Sequence, residues 1–330
     1  MKQLLNISTH DVDLETIGHD WSTARKLMEN YHFDGYELYP VTGYAFEEIP
    51  LDLVTGLHLR FFVIIEPIWR GNRQRLLEIF DDEETIRFFY GGLDKYALVE
   101  AYREQLALAH HFGCEYVVFH VSQCEFEYVY KWNCPWTWQE TVDISAEIIN
   151  EVTQETPYQG LILFENLWWP GSMRLDSPAE VERLMERVDY PHCGIILDTG
   201  HILNKNQDLR NEAEGISYIL ETVSNLGQLR SLVKGVHLSC SLSAEYVKQS
   251  MQITEPFREA KNFWDRFIIA HDHASKIDQH DPFEDPAIAG LFDLVSPEFL
   301  VFELTYRDMA EWQYKIERQK RAIDGAGGPV

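Results

Sequence analysis

The sequence predicts a single-domain (β/α)8 barrel, a TIM barrel, on three observations. Eight short apolar runs recur along the 330 residues, amphipathic stretches separate them, and the runs are continuously rather than alternately hydrophobic. Continuous runs mark parallel strands covered on both faces, and regular alternation with helices builds a parallel sheet. An open doubly wound sheet would have fewer strands and often a glycine-rich first turn, and none is visible.

The runs are LLNIS (4–8), GYELY (35–39), LRFFVII (59–65), YVVFHV (116–121), GLILFEN (160–166), GIILDTG (194–200), VKGVHLS (233–239) and FLVFELT (299–305). Helical patterns fall at 93–113, 137–154 and 177–188. The first stops at Gly113, a fitting C-terminal glycine. The last opens with Ser177 as N-cap, Pro178 behind it and two glutamates in its first turn. Two connections exceed ordinary loop length and fall on the face where strands end. One, 122–138, carries Phe126, Tyr128, Tyr130, Trp132, Trp136 and Trp138; the other spans roughly 240–290. The barrel is expected over 1–323, with 324–330 a flexible C-terminal tail.

Composition narrows the function. Apolar residues make up 45% and charged residues 25%, a globular balance that excludes a disordered chain. No run approaches the roughly 18 apolar residues of a membrane span. With 28 basic against 54 acidic residues the net charge is −26, which repels phosphate backbones and anionic membranes and argues against a nucleic-acid partner. Five cysteines without a CxxC pair indicate a reducing compartment, and the apolar stretch of the first residues is too short for a signal peptide. A cytoplasmic location is expected.

In a barrel the chemistry stands where strands end. Those positions hold His10, Glu37, Glu66, His120, Glu165, Asp198 with His201, His237 and Glu303. A lone histidine there is ordinarily a hydrogen-bonded rim residue, and Glu37 and Glu66 could be solvated rim charges. Glu165, Asp198, His237 and Glu303 differ: they come from four successive strands and have apolar neighbours. Buried carboxylates cost several kcal/mol each unless compensated, and a divalent cation compensates several at once.

The motifs FEN (164–166), LDTGH (197–201), GVHL (235–238) and FEL (302–304) resemble those of the xylose-isomerase-like TIM-barrel superfamily, in strand order over nearly the whole chain. That group includes sugar isomerases, epimerases such as D-tagatose 3-epimerase, and endonuclease IV. Resemblance to the epimerase branch implies one divalent ion, commonly manganese, on Glu165, Asp198, His237 and Glu303, so manganese or zinc is the expected cofactor across the two branches. Glu165 and Glu303 would move protons at carbon, and His201 would touch substrate oxygens. Resemblance to the endonuclease branch implies further zinc ligands. His120 fits strand four, His201 the D-x-x-H after strand six, and Asp278 with His280 the D-x-H after strand seven. The strand-three histidine is read as missing, with Glu66 and Pro67 in its place. His237 and Asp278 also stand 41 positions apart, a long insertion. A mononuclear or dinuclear site is therefore expected.

The leading expectation is a metal-dependent isomerase or epimerase of a sugar or sugar phosphate, with a homodimer allowed. A zinc phosphodiester hydrolase is the alternative, and a non-catalytic metal-binding barrel a third. Trp168 and Trp169 follow FEN directly, and at least one of them is expected to wall the pocket beside the metal, narrowing it to a small molecule; Trp132 and Trp136 are expected to line or cover it. Asp278 and His280 discriminate: turned into the pocket, they favour hydrolysis.

Overall fold

In the computed structural model, which describes residues 1–324, the parallel strands follow one another in chain order and β1 closes against β8. They are β1 (Lys2–Ser8), β2 (Gly35–Tyr39), β3 (Val54–His58), β4 (Tyr116–His120), β5 (Leu161–Glu165), β6 (Cys193–Asp198), β7 (Val233–Leu238) and β8 (Phe299–Phe302). The expected eight-stranded barrel is present.

Side chains alternate across a strand, so every second residue faces the barrel axis. Leu4, Tyr116, Val118, Leu163, Ile196, Phe299 and Val301 form a separate buried cluster that fills the barrel interior. Two residues beyond Val118, Leu163, Ile196 and Val301 stand His120, Glu165, Asp198 and Glu303. Each of these groups continues the inward face of its strand, one layer above the apolar plug. Outside the barrel, Phe119, Phe164, Ile195, Leu197 and Leu300 belong to the larger core that extends to the helices.

The helix boundaries follow local chemistry. Asp94 accepts from Tyr96 N at the start of helix Lys95–Phe112, and Gly113 ends it at φ 67°, where a side chain would be strained. Thr137 with Glu140, and Ser177 with Glu180, form capping boxes on helices Trp138–Val152 and Pro178–Arg187.

Three expectations need correction. The run LRFFVII is not strand three. The ladder with β4 pairs Gly56 with Tyr116 and His58 with Val118, and residues 59–65 then leave the sheet as a buried apolar loop. Its Phe62 ring stacks on Tyr90 and meets Tyr102 edge-on. Apolar content there reports burial rather than strand pairing. The long connection after β7 is mostly helical, with Ala244–Ser250, Glu255–Glu259 and Phe263–Ile277. Asp324, expected to open the tail, ends helix Met309–Asp324; residues 325–330 lie outside the described residues. The five cysteines are free, and no helix among the described residues is long and apolar enough to cross a membrane.

Candidate metal centre

Barrel closure brings Glu165, Asp198, His237 and Glu303 together, with one ligand atom of each within 4.8 Å of the others. His237 Nδ1 lies 3.2 Å from Glu303 Oε2, 3.3 Å from Glu165 Oε1 and 3.9 Å from Asp198 Oδ2. Local structure sets these positions. Asp198 caps the short helix Thr199–Asn204 by accepting from His201 N at 2.6 Å through Oδ1, leaving Oδ2 buried without a hydrogen-bond partner. Asn166 clamps β5 to β6, donating to Asp198 O and accepting from Asp198 N.

A second group joins Glu165 to His58 and His120. The strand-three histidine, read from sequence as missing, is therefore His58, the last residue of β3. Its Nε2 lies 3.4 Å from Glu165 Oε2, and His120 Nε2 lies 3.0 Å from the same oxygen. The misassigned strand hid it. A signal was available: glycine stands two residues before the polar group in GYE (35–37), GLH (56–58) and GVH (235–237).

A third group is Asp198, His201 and His280, with Asp278 beside it. His201 Nε2 lies 3.1 Å from Asp278 Oδ2. Asp278 Oδ1 accepts from Asn204 Nδ2 and Ser241 Oγ. His280 Nε2 lies 3.5 Å from Glu303 Oε2. The turn carrying this pair is fastened by Cys240 N donating to Asp281 O at 2.7 Å. Asp278 and His280 thus point into the site despite the long insertion.

Ring orientation follows from the outer partners. His58 Nδ1 lies 3.1 Å from Leu59 O, His201 Nδ1 2.7 Å from Asn166 O, and His280 Nδ1 3.3 Å from Asp278 O. A carbonyl oxygen only accepts, so each Nδ1 carries hydrogen, and Nε2 is the nitrogen left to exchange its proton for a cation.

The charges ask for a cation. The only basic side chains paired with Glu165, Asp198, Asp278 and Glu303 are histidines; no lysine or arginine ion-pairs with them among the described residues. Burial raises the Glu165 carboxyl, but His120 and His237 outweigh it and hold it well below the usual range. Burial likewise lowers the His237 imidazole, but the carboxylates of Glu303, Glu37 and Glu165 push it well above its ordinary value. Asp198 is raised well above the carboxylate range, chiefly by burial, with Glu303 and Glu165 adding to it. Buried Glu165 Oε2, Asp198 Oδ2 and Glu303 Oε2 lack hydrogen-bond partners. An oxygen and imidazole donor set with orphaned carboxylate oxygens fits divalent cations of the zinc or manganese type. Glu165, Asp198 and His237 are fully buried, whereas the side chains of His120, Asp278, His280 and Glu303 keep 11–16% exposure. The centre opens on that side.

Trp168 lies 4.8 Å from the His201 ring and 4.1 Å from Trp169, and Trp169 stacks on Phe61, which covers His120 at 4.2 Å. These rings form an aromatic wall along one flank of the centre. Glu37 is buried below it, 3.1 Å from His237 Nε2. Other expected residues stand apart. His10 is exposed at the helix N-cap, its ring 5.9 Å from Tyr39, which is itself 5.5 Å from His58. Glu66 is not at a strand end; it opens helix Glu66–Trp69, its N–H held by Gln123 Oε1, because β3 ends eight residues earlier. Trp132 sits under the Arg174 guanidinium and Trp136 against Gly171 and Tyr128, so both pack on the loop after β5.

No curated protein matches the chain. Among solved structures, it is similar to a D-tagatose 3-epimerase-like protein at 14% identity and TM-score 0.53, covering 98% of this chain and 97% of that one. It is similar to endonuclease IV from Thermus thermophilus at 12% identity and TM-score 0.53, covering 98% and 99%. At these identities the likeness is one of fold. Residues 92–326, well over half of the chain, match the family described as xylose isomerase-like TIM barrel, and the chain belongs to that family.

Proposed function

We propose that the protein is a multinuclear divalent-metal hydrolase of a small phosphate ester. The observation that carries this is the inward turn of Asp278 and His280. It adds the group Asp198, His201 and His280 to the two groups that share Glu165. A one-metal isomerase has no need of these extra ligands. Bound cations would supply Lewis-acid stabilisation of charge developing on a phosphoryl oxygen.

The protein's own residues do the rest. Glu165 joins two ligand groups, so one carboxylate sets their separation. Asp278 holds His201 in place and is held in turn by Asn204 and Ser241. Trp168 and Trp169 limit the depth and width available to substrate and exclude water from one flank. Together with the net charge of −26, this wall favours a small molecule over a nucleic acid. The products would be a phosphate and an alcohol, with water as the second reactant.

Sugar isomerisation is the second reading. Glu165 and Glu303 approach His237 Nδ1 from β5 and β8 at 3.3 and 3.2 Å, a carboxylate pair suited to proton transfer at carbon. Metal analysis combined with two assays separates the readings. Two or three ions per chain and release of nitrophenol from a nitrophenyl phosphate ester support hydrolysis. A single ion, with exchange of a ketose C–H proton for solvent deuterium, replaces hydrolysis by isomerisation.

A further inference from the structure

His237 is wired in the opposite sense to its neighbours. His58 and His280 turn Nδ1 onto a carbonyl oxygen and Nε2 toward Glu165 and Glu303, and His201, whose Nδ1 also lies 3.4 Å from Glu165 Oε1, still sets that nitrogen on a carbonyl at 2.7 Å. His237 instead presents Nδ1 to Glu165, Glu303 and Asp198, while its Nε2 meets a carboxylate oxygen, Glu37 Oε2, at 3.1 Å. We propose that Glu37, fixed by Tyr116, is the positioning residue that holds His237 in the tautomer whose Nδ1 can bind a cation. The proposal rests on reading the cluster as a metal centre.

A neutral imidazole has two tautomers, and the partner of one nitrogen decides which the other presents. A carboxylate oxygen accepts, so the Glu37 bond keeps hydrogen on Nε2 and makes Nδ1 the nitrogen that gives up its proton when a cation binds. A carboxylate can itself rotate away. Here a second donor prevents it: Tyr116 Oη donates to the same Oε2 at 2.7 Å. The strand register is built for this bond. Glu37 pairs with Gly56, and Gly56 pairs with Tyr116 on the next strand. The phenol crosses the glycine to reach the carboxylate, and a Cβ at 56 would lie 2.3 Å from the Tyr116 ring. Phe299 packs on Tyr116 at 4.4 Å.

Glu37 also lies close enough to His58 and His237 to form a ligand group of its own. Two donors already occupy the oxygen that faces His237, so the outer role is the consistent one.

The test uses the full-length protein, stripped of metal and titrated with Co²⁺ against a chelator, with the visible absorption bands recorded. E37L should weaken one Co²⁺ equivalent by roughly 10–100-fold, the usual effect of losing an outer-sphere partner, and shift its bands. E37Q keeps an acceptor oxygen for Nε2–H and should restore most of that affinity. Y116F should weaken the same equivalent by a smaller factor, and it decides the matter should E37L fail to fold. Wild-type affinity and bands in E37L, or in Y116F where E37L does not fold, overturn the proposal. Loss of a whole equivalent in both E37L and E37Q makes Glu37 a ligand and also overturns it. Failure of the wild-type protein to bind Co²⁺ overturns both this proposal and the metal reading beneath it.

Discussion

His58 and His120 stand 4.6 Å apart, ring to ring, and both aim Nε2 at Oε2 of Glu165. Two imidazoles from neighbouring strands therefore converge on one carboxylate oxygen that has no hydrogen-bond partner. His58→Ala should remove about one metal equivalent per chain and spare the others, because the ligands of the adjoining group remain complete. Elemental analysis of the purified variant measures this, and an unchanged metal content would contradict the assignment.

Glu303→Gln keeps shape and removes charge. Turnover should fall by roughly 100-fold or more, the scale of a lost acid–base group, under either proposed chemistry. The melting temperature of the loaded protein should move by only a few degrees. Steady-state rates at saturating metal decide it; a variant as active as wild type would remove Glu303 from the centre.

The cation-free protein should lose stability as pH rises. Burial alone lowers the His280 imidazole, but Asp278 and then Glu303 raise it to about 10. The unfolded value is about 6.5. A raised imidazole stabilises the folded state when protonated, so this contribution is fully present below about pH 6.5 and fades as pH climbs through about 10. Cations replace those protons, so loaded protein should not show the decline. Urea midpoints at several pH values, with and without chelator, measure the difference. A flat profile for the cation-free protein across that window is the contrary result.

Glu180 holds the loop that follows the aromatic wall. Its buried carboxylate accepts four backbone N–H bonds, from Arg174, Leu175, Asp176 and Ser177, at 2.6–3.1 Å. Lys205 Nζ donates to the carbonyls of Arg174 and Leu175 from the other side. Glu180→Ala strands these N–H groups and should destabilise the protein by about 2–3 kcal/mol. Chemical denaturation checks the value; a change below about 0.5 kcal/mol would mean that the loop is held by other contacts.

Much of this centre is legible in sequence because barrel geometry converts a position along a strand into a position in space. Glu165, Asp198 and Glu303 each stand two residues past an apolar inward residue, so strand ends alone find them. Asp278 and His280 are found by spacing within their own motif, since the helices between β7 and the motif return the chain to Cys240. His58 is hidden because the buried loop after it is more hydrophobic than the strand before it. Glu66 is mistaken for a strand end for the same reason. Trp132 and Trp136, both half-buried, show that an aromatic composition predicts packing without naming the surface packed against: both pack on the loop after β5.

The ring of strands closes only when β8 meets β1. A chain truncated before Glu303 lacks the last donor and cannot assemble the full set. A cation held by all four strand-end donors would therefore be selected by a finished barrel of set dimensions, after translation, rather than by loose histidines on a nascent polymer.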